Sequence, residues 1–357
     1  MYSIQIVVFL ILNNVLRNIN AASYVTKDSS ACVSNIEIPE GQSLEQYIQT
    51  VTDFWTDERL KAAKPRPLIR IDGVSMDANG NNRRFINEYE KPIVIEGTAP
   101  ASLNMLKRDG YPSTVGKVFF VDGDDEYACS ASVITADNKD MIFTAGHCVY
   151  SPTSFKYVKK FVFIPQYENG TRPYGTWIAR CLYTTPDWVT QIDHNYDTAI
   201  VLLHPLNSQH IQDRVGSQGI GFNHNHSANI YSFGYPANYY DAEIMTYCSA
   251  TKYPADLPSF NGDRISCNMS HESSGGPWFE SYNVSSLLGI QTSVNSFGRK
   301  DIPDVMFGPH FGSTIQALYD RANDDGTCDS QASHSTFSVI LLLSLLLLQY
   351  LQNSFSK

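Results

Sequence analysis

The sequence SSGGPW, Ser273 to Trp278, lies close to the end of a series of short apolar segments. Two glycines after a serine allow a tight turn, because a residue without a side chain lets the backbone approach a substrate closely. Such a turn presents a nucleophilic hydroxyl at Ser274, or it is only a flexible loop. Motifs elsewhere in the chain decide between these two interpretations.

Two upstream motifs supply what a nucleophilic serine needs. TAGHC contains His147, and DTAIVLL begins at Asp197. Serine needs a nearby base to take its proton, and imidazole suits this role because its pKa lies near neutrality. A buried carboxylate then fixes the imidazole tautomer. The order His147, Asp197, Ser274 therefore predicts a catalytic triad with His147 as the base and Asp197 as its orienting partner.

The sequence around these motifs predicts an all-β domain over residues 111–324. From VGKVFFV, which begins at Val115, short apolar or alternating runs follow one another and are separated by turn residues. Many short strands at regular spacing indicate a barrel or a sandwich. The segment GSTIQALYDRAN, Gly312–Asn323, has apolar residues at helical spacing and predicts one closing helix.

The segment from Val115 to Asn323 resembles chymotrypsin-like (trypsin-superfamily) serine proteases, and within them the secreted glutamyl-endopeptidase-like branch. The stretches that carry the resemblance are VGKVFF, CSASVIT, TAGHCV, DTAIVLL, FGYPA, CNMSHESSGGPWF and FGPHFGSTIQALYDRA. The resemblance implies an all-β, double six-stranded β-barrel with a C-terminal helix and an active site between the barrels. It also implies a serine endopeptidase that cleaves peptide or protein substrates through an acyl-enzyme on Ser274, without a cofactor.

The oxyanion hole is the main departure from the family pattern. The resemblance implies that the backbone N–H groups of Glu272 and Ser274 form it, but the branch usually has Gly-Gly where this chain has His271–Glu272. A side chain at residue 272 restricts the backbone and brings a negative charge near the oxyanion, unless the carboxylate points to solvent. The alternative function is therefore an impaired pseudoprotease that acts as a surface binding module. An esterase is disfavoured because the chain lacks a GxSxG motif.

Two further departures concern activation and specificity. Many trypsin relatives have Asp just before the nucleophile, where it pairs with a newly freed N-terminus; this chain has Ser273 there, so we do not expect that activation. Glutamate-preferring members have His at the position of Gln291 and often Thr at that of Met269. The resemblance assigns the substrate pocket, without an acidic or basic preference, to Asn268, Met269, Gln291 and Thr292.

Both ends of the chain resemble processing signals. Residues 1–22 contain a short apolar core followed by small residues, which predicts a secretory signal peptide rather than a membrane span. Residues 325–357 combine small residues, a polar spacer and an apolar tail, the pattern of a GPI-attachment signal near Asp325–Gly326 or Ser330. A short C-terminal membrane anchor is the alternative. We expect a secreted or cell-surface monomer held on the outer leaflet by a lipid anchor.

Residues 23–110 lack dense strand patterning and predict a pro-segment. LEQYIQTVTDFWTDERLKAA, residues 44–63, has apolar residues at helical spacing and predicts an amphipathic helix. Dibasic pairs at Arg83–Arg84 and Lys107–Arg108 are candidate processing sites. The segment therefore predicts a zymogen.

Cysteines and sequons favour the secretory pathway. Seven cysteines are present, and cleavage near residue 325 removes Cys328 and leaves six. The family resemblance implies the pair Cys129–Cys148, and position favours Cys248–Cys267, which leaves Cys32–Cys181. Predicted glycosylation sites are Asn169, Asn225, Asn268 and Asn283.

Charge and the remaining motifs exclude other classes of function. The formal net charge is −10 without a basic cluster, which argues against nucleic acid as a partner. The chain has no zinc signature, and we predict no metal. NHNH, Asn223–His226, is more typical of a surface loop than of a metal site. DGDDEY, Asp122–Tyr127, is more typical of a solvated hairpin turn than of a calcium loop.

Overall fold

The computed structural model describes residues 38, 41–67, 91–99 and 110–325, together with the backbone of 69–71. The predicted signal peptide, both dibasic pairs and residues 326–357 lie outside this part of the chain. The described residues are mostly β-structure with few helices, and the predicted fold class is confirmed. No helix among them is both long and apolar enough to span a bilayer.

The N-terminal part of the described chain contains two helices and three short strands. They are α1 (Leu44–Phe54), α2 (Asp57–Ala62), β1 (Lys64–Pro65), β2 (Ile69–Ile71) and β3 (Ile93–Ile95). The single helix predicted over 44–63 is broken at Trp55 and Thr56. The Thr56 hydroxyl accepts a hydrogen bond from the backbone N–H of Arg59 and so starts a new helix, because this is the geometry of an N-cap. The Trp55 indole donates to the carbonyl oxygen of Lys160 at 2.7 Å.

Six strands form a closed barrel. They are β4 (Val115–Asp122), β5 (Asp125–Val133), β6 (Met141–Thr144), β7 (Lys159–Pro165), β8 (Trp177–Thr184) and β9 (Ala199–Leu203). Neighbours are hydrogen-bonded in the order β5-β4-β7-β8-β9-β6, and β6 pairs back onto β5. Every residue of β9 is buried, which is the pattern of a strand covered on both faces.

The second half of the domain is a larger, mostly antiparallel sheet. Its strands are β10 (Gly219–Phe222), β11 (Ala228–Gly234), β12 (Thr246–Pro254), β13 (Asp263–Ser266), β14 (Pro277–Asn283), β15 (Leu288–Val294), β16 (Phe297–Arg299) and β17 (Val305–Gly308). Their order is β16-β17-β13-β12-β11-β14-β15-β10. One side of this sheet buries Ile230, Ile265, Trp278 and Met306 in a common cluster.

The predicted pro-segment is integrated into both halves of the domain. Strand β1 pairs with β5, β2 pairs in parallel with β16, and β3 pairs antiparallel with β10. Tyr47, Val51, Trp55 and Leu60 join the same apolar cluster as Phe119 of the barrel. Burial of each such side chain stabilises the docked arrangement by about 1.5–3 kcal/mol. Hydrophobic packing as well as strand pairing therefore holds this segment on the domain.

Three helices follow the N-terminal pair. They are α3 (Pro186–Gln191), α4 (Ile211–Val215) and α5 (Ser313–Asp324). The predicted closing helix is confirmed as α5, which buries Ile315, Leu318, Tyr319 and Ala322. These residues recur at helical spacing and give the helix one apolar face. The Tyr319 hydroxyl donates to the carbonyl oxygen of Thr135 at 2.8 Å and ties the helix to the barrel half.

Candidate active site

Strand pairing brings His147 and Asp197 together. His147 lies on a short 3₁₀ turn directly after β6, and Asp197 lies just before β9. Because β6 and β9 are hydrogen-bonded neighbours with Thr144 opposite Ala199, these two strand ends meet. Nδ1 of His147 is 2.8 Å from Oδ2 of Asp197, and the backbone N–H of His147 donates to Oδ1 at 2.8 Å. A proton on Nδ1 leaves Nε2 as the basic nitrogen of the imidazole.

The Asp197 carboxylate is completely buried and still kept ionised. The hydroxyl of Ser296, which precedes β16, donates to Oδ2 of Asp197 at 2.5 Å. Burial alone would raise the pKa of Asp197, but the charge and hydrogen bond of His147, with help from His194 and Ser296, hold its pKa below the usual range. An ionised carboxylate here can orient the imidazole and stabilise an imidazolium.

The turn that carries Ser274 packs against the strands that lead to His147. The Ser274 carbonyl accepts a hydrogen bond from the backbone N–H of Ser130 on β5 at 2.8 Å. Gly275 has φ +79°, and a Cβ added there would lie 2.0 Å from Oγ1 of Thr144. Only glycine fits both that conformation and that contact. The close contact explains why the sequence has glycine directly after the serine.

Ser274 and His147 both keep the atoms that the proposed chemistry requires available. The hydroxyl oxygen of Ser274 and Nε2 of His147 are buried, and within the described part of the chain neither has a hydrogen-bond partner. The Ser274 carbonyl oxygen is 3.9 Å from Sγ of Cys148, the residue after His147. The two loops are therefore in contact, with the side chains of both residues enclosed by protein.

Glu272, a predicted oxyanion donor, has an unusual backbone conformation. Its φ is +68°, a conformation that glycine adopts without strain and glutamate does not. The Ser130 hydroxyl donates to the Glu272 carbonyl at 2.8 Å and fixes this peptide. The backbone N–H groups of Glu272 and Ser274 have no acceptor among the residues that the structure describes. Two available N–H groups on one turn can stabilise a developing oxyanion.

The Glu272 carboxylate does not point to solvent. Its side chain is 4% exposed, and Oε2 lies 3.1 Å from Nζ of Lys117, whose side chain is 3% exposed. Burial raises the pKa of Glu272 to about 7, although the charge and hydrogen bond of Lys117 act in the opposite direction. A buried cation therefore balances the negative charge that the sequence places beside the oxyanion site.

Comparisons with known proteins identify the family. The protease Anisep from Arthrobacter nicotinovorans is 40% identical, with a TM-score of 0.56, over 60% of this chain and 97% of that one. The thermostable serine protease AL20 from an extremophilic microorganism is 32% identical, with a TM-score of 0.56, over 60% and 98%. The chain belongs to the chymotrypsin-like serine proteases. The predicted enzyme class, a serine-type endopeptidase, is confirmed.

Other comparisons add less. No family model matches the chain. The Extracellular metalloprotease of Bacillus subtilis (strain 168) is 30% identical over 78 residues, which are 22% of this chain and 24% of that protein. The match thus spans about a quarter of the length of that curated relative. A solved Glu endopeptidase also aligns, at 16% identity.

The four residues predicted to line the pocket have different surroundings in this protease. Asn268 is exposed and its side-chain oxygen accepts from the Tyr239 hydroxyl at 2.9 Å, whereas Met269 is buried. Gln291 is fully buried on β15, with a hydrogen bond from the Ser132 hydroxyl across to β5.

These surroundings divide the four predicted pocket residues into two groups. The Gln291 amide also donates to the carbonyl oxygen of Ser293, so both of its polar atoms have protein partners. This location argues against the predicted contact between Gln291 and substrate. Thr292 is also buried, next to it on β15. Asn268 and Met269 remain adjacent to the loop that leads to Ser274, and their pocket role stays a prediction.

Sequence reasoning missed three residues that support the site. Ser296 binds Asp197, and Lys117 neutralises Glu272, as described above. The third, Asn295, donates from Nδ2 to the Ser273 carbonyl at 3.0 Å and accepts from the Trp278 indole at 2.7 Å. The run VNSFG, Val294 to Gly298, links the end of β15 to the start of β16 and is the only local sequence sign of Asn295 and Ser296. Polar side chains between apolar strand residues require buried partners.

Two predicted disulfides are present around the site. Cys129–Cys148 joins β5 to the histidine turn, and Cys248–Cys267 joins β12 to the loop that leads to Ser274. Cys181 is also disulfide-bonded. Its predicted partner, Cys32, lies outside the described residues, so that pairing stays a prediction. The four sequon asparagines are all exposed, and their glycosylation likewise stays a prediction.

The motifs rejected as metal sites have protein partners in the structure. Ligand atoms of His226, Asp263 and His310 lie within 4.8 Å of one another. Nζ of Lys252 is 3.4 Å from Asp263, however, and this positive charge competes with any cation there. DGDDEY spans the hairpin between β4 and β5, where Asp122 pairs with Arg66 at 2.7 Å. The positive charges of Lys252 and Arg66 therefore disfavour a bound cation at both positions.

Proposed function

We propose that this serine protease cleaves peptide bonds through a triad of Ser274, His147 and Asp197. His147 Nε2 takes the proton of the Ser274 hydroxyl as its oxygen attacks the scissile carbonyl carbon. The carbonyl π electrons move to oxygen, and the N–H groups of Glu272 and Ser274 stabilise that oxyanion. The oxyanion then re-forms the carbonyl, the C–N bond breaks, and the imidazolium gives its proton to the leaving amine.

The second half of the reaction reverses these roles. Water enters where the amine has left, and His147 takes one of its protons while the hydroxide oxygen attacks the acyl carbon. The new tetrahedral intermediate collapses and releases the peptide acid, and the imidazolium returns its proton to Ser274. Asp197 stays ionised throughout and stabilises the imidazolium in both halves.

The observation that carries this proposal is the His147–Asp197 contact. The 2.8 Å contact at Nδ1, combined with a buried Nε2 that lacks a partner among the described residues, is the arrangement that a general base needs. An unpaired ring nitrogen alone does not identify the base, because four other histidines in the described part of the chain also have a buried ring nitrogen without a partner. The contact between His147 and the completely buried carboxylate of Asp197 is what supports a catalytic role over a structural one.

Fluorophosphonate labelling of the secreted, processed chain tests the triad. The reagent phosphonylates an activated serine, so we expect labelling of the native chain and none of Ser274→Ala. Ser273→Ala is the matched control, because the neighbouring Ser273 hydroxyl donates to the Ser270 carbonyl and has no catalytic role in the proposal. Equal labelling of native chain and Ser274→Ala, or no labelling of a folded and processed chain, overturns the proposal.

The rival function, a pseudoprotease that acts as a surface binding module, depends on Glu272. Its side chain is the departure from glycine that could disturb the oxyanion hole. The Lys117 contact and the available backbone N–H groups support the enzyme instead. Absence of labelling in the native chain, followed by recovery in Glu272→Gly, would show that the site is an impaired protease.

We further propose that the segment before residue 111 is an inhibitory pro-segment. Strand β16 begins directly after Ser296, the residue that binds Asp197, and β2 occupies its outer edge. A peptide substrate bound as an added strand would need that same edge beside the triad. Removal of residues 23–110 should therefore raise activity. Full activity of the uncleaved chain would contradict this.

The secretory location is also a proposal. The disulfides and the four exposed sequons support an oxidising compartment. Release of cell-surface enzyme by phosphatidylinositol-specific phospholipase C tests the lipid anchor, whereas retention after that treatment indicates a membrane helix.

A further inference from the structure

Lys117 is a buried cation beneath the turn that carries Ser274. It lies on β4, and its side chain is 3% exposed. Nζ is 3.1 Å from Oε2 of Glu272 and 3.6 Å from Oε1 of Glu243, and it lies 5.2 Å from the ring centre of Tyr167. The Tyr167 hydroxyl donates to Glu243 at 2.8 Å and so holds the second carboxylate in place.

The Lys117 contact fixes a peptide that is otherwise strained. Glutamate at φ +68° is held in a sparsely populated conformation that costs on the order of 1 kcal/mol or more, so its surroundings must impose it. The side chain of Glu272 is held by Lys117, and its carbonyl is held by the Ser130 hydroxyl at 2.8 Å. Both holding residues belong to the closed barrel, whereas Glu272 belongs to the other half of the domain.

A positioning role explains the Lys117–Glu272 ion pair better than a contribution to folding stability does. Burial of two charges is expensive, and a well-packed apolar pair of similar volume is often as stable or more stable. Such a pair is retained where it specifies one arrangement, and here that arrangement directs a backbone N–H. The residue before the nucleophile, Ser273, carries no charge, so an ion pair with a freed N-terminus cannot supply the same order.

We propose that the Lys117–Glu272 ion pair is a positioning device. It holds the turn from Glu272 to Ser274, which we call the oxyanion turn, in its active conformation. The inference deepens the proposed function and rests on it. Lys117 itself does not touch the reacting atoms; it acts through the side chain of Glu272. The carboxylate that departs from the family pattern is, in this chain, the anchor of the oxyanion site.

Lys117→Met tests this proposal, with Lys252→Met as the matched control. Met keeps the length of the side chain and removes the charge. Lys252 is equally buried, but it lies in the second sheet, and its ion pairs among the described residues are with Glu280 at 2.7 Å and Asp263 at 3.4 Å rather than with the turn. We expect Lys117→Met to lower kcat for a peptide substrate about 100-fold, the typical effect of losing one oxyanion donor, with KM changed less than about threefold. Per folded molecule, Lys252→Met should keep the native kcat.

A double-mutant cycle separates positioning from a purely structural role. In a Glu272→Gly background the turn needs no anchor, since glycine adopts positive φ freely. We therefore expect Lys117→Met to lower kcat less than about fivefold there, against about 100-fold in the native background. Equal effects in both backgrounds would mean that Lys117 acts independently of Glu272, which overturns the proposal.

A second variant keeps the test valid if Lys117→Met does not fold. Lys117→Met combined with Glu272→Gln removes both charges of the pair, so no uncompensated charge is left at residue 272, and Glu243 keeps the hydrogen bond from the Tyr167 hydroxyl. The proposal predicts a folded protein with about 100-fold lower kcat; kcat within fivefold of the native value overturns it. The proposed function and the proposed role of the ion pair can fail separately. Labelling of the native chain at Ser274 supports the proposed function even if the kinetics of these variants contradict the role of the ion pair.

Discussion

Lys117 and Lys252 are two buried lysines that illustrate different uses of the same chemistry. Lys117 lies in the closed barrel and contacts Glu272 and Glu243. Lys252 lies in the second sheet and contacts Glu280 at 2.7 Å and Asp263 at 3.4 Å. Each lysine thus faces two carboxylates, yet the pKa of Glu272 is raised and that of Glu280 is lowered.

The additional partners of the carboxylates explain the difference. Glu280 also has Nδ1 of His224 at 2.8 Å. Burial tends to raise its pKa, but His224 and Lys252 together lower it to about 2. Glu272 has Lys117 as its only favourable partner among the described residues, and like-charged Glu243 adds to the effect of burial, so its pKa rises to about 7.

The comparison separates a stabilising network from a positioning one. Around Lys252 each carboxylate has a histidine as a second partner, His224 for Glu280 and His226 for Asp263, and the ionised form of Glu280 is favoured in the folded state. Around Glu272 ionisation is disfavoured, although the turn beside the triad requires the charged pair in our proposal. A site that lowers stability is expected where function constrains the residue.

The largest expected effect is the loss of stability in Lys252→Met. This variant leaves the carboxylates of Glu280 and Asp263 buried with less compensation, which typically costs about 3–5 kcal/mol. Urea denaturation with disulfides intact measures it. Lys139→Met is the control, because Lys139 pairs with Asp213 at 3.0 Å on the surface and should contribute less than about 1 kcal/mol. A loss below 1 kcal/mol in Lys252→Met would show that its network is not stabilising.

The second expected effect is a pH dependence with opposite sign at the two carboxylates. Glu272 has a raised pKa in the folded state, so the folded state binds its proton more tightly and stability falls as pH rises from about 4.5 to about 7. Between pH 5 and pH 8 the native chain should lose about 2–3 kcal/mol relative to Glu272→Gln, since one pKa unit equals about 1.4 kcal/mol. The unfolding free energies of both proteins at the two pH values measure this difference.

Glu280→Gln provides the matching measurement. The pKa of Glu280 is lowered by folding, so its contribution is present above the unfolded pKa and is lost as pH falls towards about 2. Glu280→Gln should therefore be less stable than the native chain at pH 7, and the two should converge in acid. If both glutamines shift stability in the same pH direction, the contrast between the two lysine sites is wrong.

The fold could be predicted, and the three residues of the proposed triad could be selected, because their signals are local. His147, Asp197 and Ser274 each lie in a short motif, and the strand pattern repeats along the domain. The helix over 44–63 was predicted as one piece because its apolar spacing continues through Trp55. The break comes from a tertiary contact, the Trp55 indole on the Lys160 carbonyl, which helical spacing does not reveal.

The anchor of the oxyanion turn could not be predicted for a related reason. Lys117 stands in VGKVFF, where alternation allows a lysine on a solvated face, and its partner Glu272 is far away in sequence. Only the packing of the two halves brings them to 3.1 Å. The sequence therefore indicates that Glu272 is unusual without indicating what balances its charge.

The smallest expected effect concerns Ser296, which joins the second sheet to the triad. Ser296→Ala removes the 2.5 Å hydrogen bond to Asp197 but leaves both contacts of that carboxylate with His147. A hydrogen bond to a charged group contributes about 1.5–3 kcal/mol, and the remaining contacts compensate in part, so kcat should fall about tenfold with KM little changed. Steady-state kinetics on a peptide substrate measures both constants.

Ser293→Ala is the control for this prediction. Ser293 is equally buried and its hydroxyl donates to the Pro309 carbonyl at 2.8 Å, away from the triad. An equal loss of kcat in both variants would mean that buried serines in this region act only through general packing. A loss confined to Ser296→Ala would show that the second sheet contributes to the base as well as to the nucleophile. Two contacts between the halves would then support the active site. Lys117 of the barrel contacts the oxyanion turn, and Ser296 of the second sheet contacts Asp197.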